Sequence, residues 1–187
     1  MVKAYDFDNS ENVLSLEDLK SLGVLYFPMD MTSYTDRLNQ ICTERGYKNR
    51  DEVKLSKDTP GLEDKLKIFF EEHLHDDEEI RFILDGCGFF DVRDKQDKWV
   101  RIRVEKGDLI IVPANMYHRF ALDENRFVHA MRLFTDAPKK FSVVSGYLSL
   151  QLTICIHFGS LGLACSYNFS HDLFLKKLRI LQKLTTH

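Results

Sequence analysis

Two histidines and a glutamate fall within seven residues in the run 69–88, FFEEHLHDDEEIRFILDGCG: His73, His75 and Glu79. On an extended strand side chains alternate faces, so these three share a parity and point into one space, with Arg81 and Ile83 following on the same side. A fourth donor, His118, stands in GDLIIVPANMYHRF. There Gly107 opens a run of β-branched and aliphatic residues, and Pro113 bends the chain just before the histidine. Imidazole suits iron, nickel, copper and zinc, so the chemistry this set suggests is metal binding. Three neutral imidazoles and one carboxylate neutralise a divalent ion only in part, and in an octahedral ion they leave two positions for a bidentate anion. A structural zinc site would instead be closed and rich in cysteine, and of Cys42, Cys87, Cys155 and Cys165 only Cys87 is near the histidine pair. His129, His157, His171 and His187 are read as ordinary core or surface residues.

Two arginines belong beside this set. Arg81 lies two residues past Glu79 on the same face, and Arg132 sits in AMRLF between apolar neighbours, which is costly without an anionic partner. Each can hold a substrate anion or pair with a protein carboxylate. Glu78 has the opposite parity to Glu79, and the DDEE cluster around it reads most simply as a solvated turn.

The elements that must position these residues follow from period and punctuation. Ser15 with Asp18 three residues on, then Leu19, Leu22 and Gly23, marks a short capped helix closed by glycine. LGVLYFPMD reads as a strand, and helices are expected over about 33–45, ending before Gly46, and about 60–71, with Leu62, Leu66, Phe69 and Phe70 at helical spacing. After Glu71 the period changes to two. Strands are expected over 78–84, 88–92, 99–105, 108–112, 117–122 and 127–134, separated by Asp85-Gly86, DKQDK and DEN. Many short strands without intervening helices mean an antiparallel sandwich or small barrel.

The 187 residues, 44% hydrophobic, suffice for one domain with a proper core. A net charge of -3 with both signs interspersed gives no footprint for nucleic acid. Unpaired cysteine spacing and the absence of an apolar N-terminal core point to free thiols and a cytoplasmic location. Beyond Pro138 the character shifts: residues 141–170 hold no Lys, Arg, Asp or Glu, and YLSLQLTICIHFGSLGLAC has the length of a membrane span. Its Ser, Gln, Thr, His and Gly make buried strands or an unstable tail the expected reading, without a membrane partner. SHDLFLKKLRILQKL, with Ser170 as N-cap, reads as a docked surface helix.

The spacing around His73, His75 and Glu79 resembles the first signature of the cupin superfamily, and Gly107, Pro113 and His118 resemble the second. Lys67, Asn115 and Leu122 depart from the usual Gly, Gly and Asn, and none of them removes a ligand. Over about residues 15–138 the order LGVLYFPMD, FFEEHLHDDEEIRFILDG, FDVRDKQDKWVRI, PANMYHRFALDE and AMRLF resembles the acireductone dioxygenase family of methionine salvage. The resemblance implies a mainly β fold, a cupin jelly-roll barrel with N-terminal helices over 1–140, and a tail over 141–187 that departs from the family. It implies one Fe(II) or Ni(II) per chain on His73, His75, Glu79 and His118, with Arg81 and Arg132 orienting the substrate and Glu78 handling a proton. The implied substrates are acireductone and O2. The iron form would give 4-methylthio-2-oxobutanoate and formate, and the nickel form 3-methylthiopropanoate, formate and carbon monoxide. A monomer is expected, in the cytoplasm and also the nucleus. The other readings are a metal-binding cupin module without turnover and a different cupin enzyme, such as a thiol dioxygenase or sugar-phosphate isomerase.

Overall fold

The structure is a computed structural model that describes residues 3–136. The expectations for residues 141–187, including the apolar run and the basic helix, lie outside the described residues. Residues 3–136 fold into nine strands and three helices: β1 (Lys3–Asp6), β2 (Asn9–Leu14), α1 (Leu16–Leu22), β3 (Leu25–Pro28), α2 (Tyr34–Arg45), β4 (Asn49–Leu55), α3 (Leu62–Phe70), β5 (Glu79–Arg93), β6 (Trp99–Glu105), β7 (Asp108–Val112), β8 (His118–Leu122) and β9 (Val128–Phe134). Every strand pairing is antiparallel. No helix among the described residues is long and apolar enough to cross a membrane.

Strand β5 joins the two halves of a curled, cupin-like sheet. Its first half, from Glu79, pairs with β7 and β9, which lead on to β3 and β4; its second half, to Arg93, pairs with β6 and β8, and β6 leads on to β1 and β2. Asp85-Gly86 is therefore not the strand-ending turn the sequence suggests. The register slips between Ile83 and Asp85, Gly86 takes φ +79°, and the chain continues as a bulged strand. A Cβ at Gly86 would lie 2.3 Å from the Phe127 carbonyl oxygen, so close strand approach as well as φ requires glycine.

Apolar side chains form two clusters, one on each face of the β7–β5–β9 sheet. The interior cluster takes Ile83, Phe90, Val92, Ile102, Val104, Ile110, Val112 and Ala130, closed by Leu19 of α1 and Leu62 of α3. The other packs Leu38 and Ile41 of α2 against Ile80, Phe82, Leu109, Ile111, Met131 and Leu133. Because both faces are covered, all five residues of β7 are buried and its sequence, DLIIV, shows no polar alternation.

The helices follow their local signals. Ser15 and Asp18 make the reciprocal capping box of α1, Ser15 Oγ accepting from the Asp18 N–H at 3.1 Å and Asp18 accepting from the Ser15 N–H at 2.8 Å. Helix α2 ends at Gly46, and α3 ends at Phe70 just before the histidines.

Candidate metal centre

The first two histidines do not sit on a strand. Residues 71–78 form an irregular connection from α3 to β5, within which His73 makes a single antiparallel bridge to His118. The two residues exchange both backbone bonds, His73 N–H to His118 O at 3.0 Å and His118 N–H to His73 O at 2.8 Å. The Asn115 N–H also donates to His75 O at 2.7 Å. Asn115 takes φ +62°, the left-handed conformation that the usual cupin glycine would supply and that asparagine tolerates better than most residues. The departure at this position thus leaves the loop geometry intact.

These bonds bring the three imidazoles together, their rings tilted or edge-on to one another. Ring centroids lie 4.5 Å apart for His73 and His118, 5.0 Å for His73 and His75, and 5.2 Å for His75 and His118. One nitrogen of each comes within 4.8 Å of the other two. Glu79, the first residue of β5, is not one of that trio but stands beside it: its Oε2 is 3.8 Å from His75 Nε2, and its Oε1 accepts from Arg81 Nη2 at 2.6 Å.

The hydrogen bonds fix which imidazole nitrogens can ligate. His73 Nδ1 lies 2.7 Å from the Glu71 carbonyl and His118 Nδ1 lies 2.8 Å from the Met116 carbonyl. A carbonyl only accepts, so each Nδ1 carries the proton and each Nε2 keeps its lone pair. His118 Nε2 is buried and has no hydrogen-bond partner among the described residues. A buried lone pair flanked by two more imidazoles and a carboxylate is a donor set for a divalent metal, so the residues fit the ion that the sequence suggests.

The electrostatics agree. Burial lowers the His118 pKa from 6.5 to about 4, with Glu79 pulling the other way, so the ring is neutral at physiological pH, as a ligand must be. Burial likewise lowers His75, partly offset by Glu79. Burial alone would raise the Glu79 carboxyl, but Arg81 and the three imidazoles outweigh it and leave the group below the ordinary carboxylate range.

The remaining predicted residues have definite partners. Arg132 donates to Asp51 through both arms of its fork, Nε to Oδ1 at 2.7 Å and Nη2 to Oδ2 at 2.5 Å. Glu78 accepts from Arg45 Nη2 at 2.5 Å and from the Tyr47 hydroxyl. Asp51 was not a sequence candidate. Its only signal is that it shares parity with Val53 and Leu55 in β4, NRDEVKL, a strand whose polar residues hide the alternation.

Fold and cluster together define a cupin-like metal protein. Residues 5–142 match the ARD/ARD' family. The acireductone dioxygenase of Dictyostelium discoideum is 75% identical over 140 residues, 74% of this chain and 95% of that protein. That of Heterostelium pallidum is 68% identical over 138 residues, again 74% of this chain and 94% of the relative. A solved structure, acireductone dioxygenase from Bacillus anthracis with cadmium ion in its active center, superposes with a TM-score of 0.68 at 28% identity, covering 73% of this chain and 94% of that one. The chain belongs to the ARD/ARD' family, and it is an enzyme, a metal-dependent dioxygenase of the oxidoreductase class.

Proposed function

We propose that the chain cleaves acireductone, 1,2-dihydroxy-3-keto-5-methylthiopentene, with O2 in methionine salvage, using one Fe(II) or Ni(II) held by His73, His75, Glu79 and His118. The carrying observation is the neutral His118 Nε2, buried beside two more imidazoles and the Glu79 carboxylate. When bound, the ion would supply Lewis acidity and a template for two substrate oxygens.

The protein's own groups complement a doubly charged enediolate. Asp51 and Glu79 balance Arg81 and Arg132, so a divalent ion leaves this part of the interior with two positive charges. Arg81 is only 12% exposed, where a guanidinium acts more strongly on an enediolate oxygen than it would in water. The apolar cluster around Ile83, Val112 and Ala130 packs behind these groups and keeps water away from them. Glu78, held by Arg45 and Tyr47, is the proposed proton-handling group.

Metal exchange tests the reading. The Fe(II)-loaded protein should yield 4-methylthio-2-oxobutanoate and formate, and the Ni(II)-loaded protein 3-methylthiopropanoate, formate and carbon monoxide. Equal carbon monoxide from both forms would contradict it.

A further inference from the structure

Three strands place charged residues in one row across the barrel interior. Asp51 on β4 stands directly opposite Arg132 on β9, and Arg132 stands directly opposite Arg81 on β5. Two like charges opposed on neighbouring strands repel unless each is held elsewhere. Here each is: Arg132 by the bidentate contact to Asp51, and Arg81 by Glu79. We propose that Asp51 is a positioning residue of the metal centre: its fork with Arg132 draws that guanidinium off Arg81, and so leaves Arg81 to hold the Glu79 carboxylate toward the histidines.

The geometry makes this more than a cross-strand ion pair. Arg81 bonds Glu79 Oε1 and thereby turns Oε2 toward His75 Nε2, 3.8 Å away. With Asp51 neutral, the Arg132 charge would stand uncompensated by its fork directly opposite Arg81, and would weaken the hold of Arg81 on Glu79. A built-in control sits on the same two strands. His129 and Glu52 pair at 2.7 Å, and their parity puts them on the face opposite Arg132 and Asp51.

The test is calorimetric titration of metal-free protein with Ni(II), alongside acireductone kinetics. Asp51→Asn should weaken Ni(II) binding about tenfold, the lower end of what loss of an outer support of a metal ligand costs, and raise KM with little change in kcat. Asp51→Glu, which keeps the anion, should restore most of the affinity, and Glu52→Gln should bind Ni(II) as the unaltered chain does. Should Asp51→Asn fail to fold, Arg132→Lys breaks the fork while keeping a cation, and carries the same tenfold expectation. Unchanged Ni(II) affinity in the folded variant, no recovery with glutamate, or equal weakening by Glu52→Gln overturns the proposal. The inference rests on the proposed function only for KM: a chain that binds Ni(II) but leaves acireductone untouched contradicts that function, while the Ni(II) affinities still decide the role of Asp51.

Discussion

The barrel contains two cross-strand rows of charge, built from the same residue types and put to different ends. In one half, Asp91 on β5 faces Arg101 on β6 and Arg119 on β8 in direct register, and accepts from both at 2.7 to 2.9 Å. The arginines are then capped by aromatic rings: Arg101 lies over Phe7 and Phe89, and Arg119 over Phe7, Phe70 and Trp99. In the other half, Asp51, Arg132 and Arg81 form the equivalent row, but it ends on Glu79 and the three histidines. The first row is closed, every charge satisfied and stacked, and it ties β6 to β8 across β5. The second ends on three convergent imidazoles, one of which, His118, keeps a buried Nε2 with no hydrogen-bond partner among the described residues. A buried ion pair is thus no sign of a site by itself; what distinguishes the second row is the donor set where it ends.

The largest effect should come from the ligands. His118→Ala removes a buried imidazole and should abolish both bound metal and turnover, measured by plasma emission and oxygen uptake on folded protein. Full metal content in that variant would show the assignment to be wrong. Arg81→Ala should follow, lowering turnover by about 10²–10³ as the loss of one preorganised charge does. Because Arg81 also holds Glu79, this variant should bind metal more weakly too, which separates it from an arginine that touches substrate alone.

The closed row should respond in the opposite way. Asp91→Ala leaves two half-buried guanidiniums without their carboxylate and should cost about 3 kcal/mol in urea unfolding, the low end for a broken buried pair because both arginines keep some water contact, while the folded fraction keeps its metal. If metal is lost at full stability, the two rows are not separable.

A smaller effect follows from the histidine itself. In the metal-free chain the folded His118 takes its proton only near pH 4, against 6.5 for the ordinary group. Between those values the unfolded state holds more protons, so stability falls as pH drops from about 6.5 to about 4, on the order of 1–3 kcal/mol, and the contribution is complete above 6.5. Glu79, lowered in the folded state, acts in the same sense further into acid. Urea midpoints of the metal-free protein at pH 7 and pH 5 measure this, and a His118→Gln variant should show a flatter profile.

Much of this site was legible because its donors are concentrated at short, fixed spacings. His73, His75, Glu79 and His118 announce themselves by residue type, and α1 by the Ser15 and Asp18 box. What sequence parity misjudged was the local backbone. His73 and His75 converge through a bridge to His118 in an irregular segment, so the common parity with Glu79 is not that of one strand. Asp85-Gly86 looks like a turn because a bulge and a turn both call for glycine at positive φ; only the pairing of both halves with other strands tells them apart. Strands β1, β2 and β4 were missed because KAYD, NSENVL and NRDEVKL carry few apolar residues. In β4 the missing hydrophobe is Asp51 itself, an inward position given over to charge.

The most direct test of the central claim is oxygen consumption by the Fe(II)-loaded full chain with acireductone, run beside the His118→Ala protein. The unaltered chain should take up O2 stoichiometrically with release of formate and 4-methylthio-2-oxobutanoate, and the variant should hold no metal and show no uptake. A chain that keeps its iron and consumes no oxygen in the presence of acireductone would contradict it.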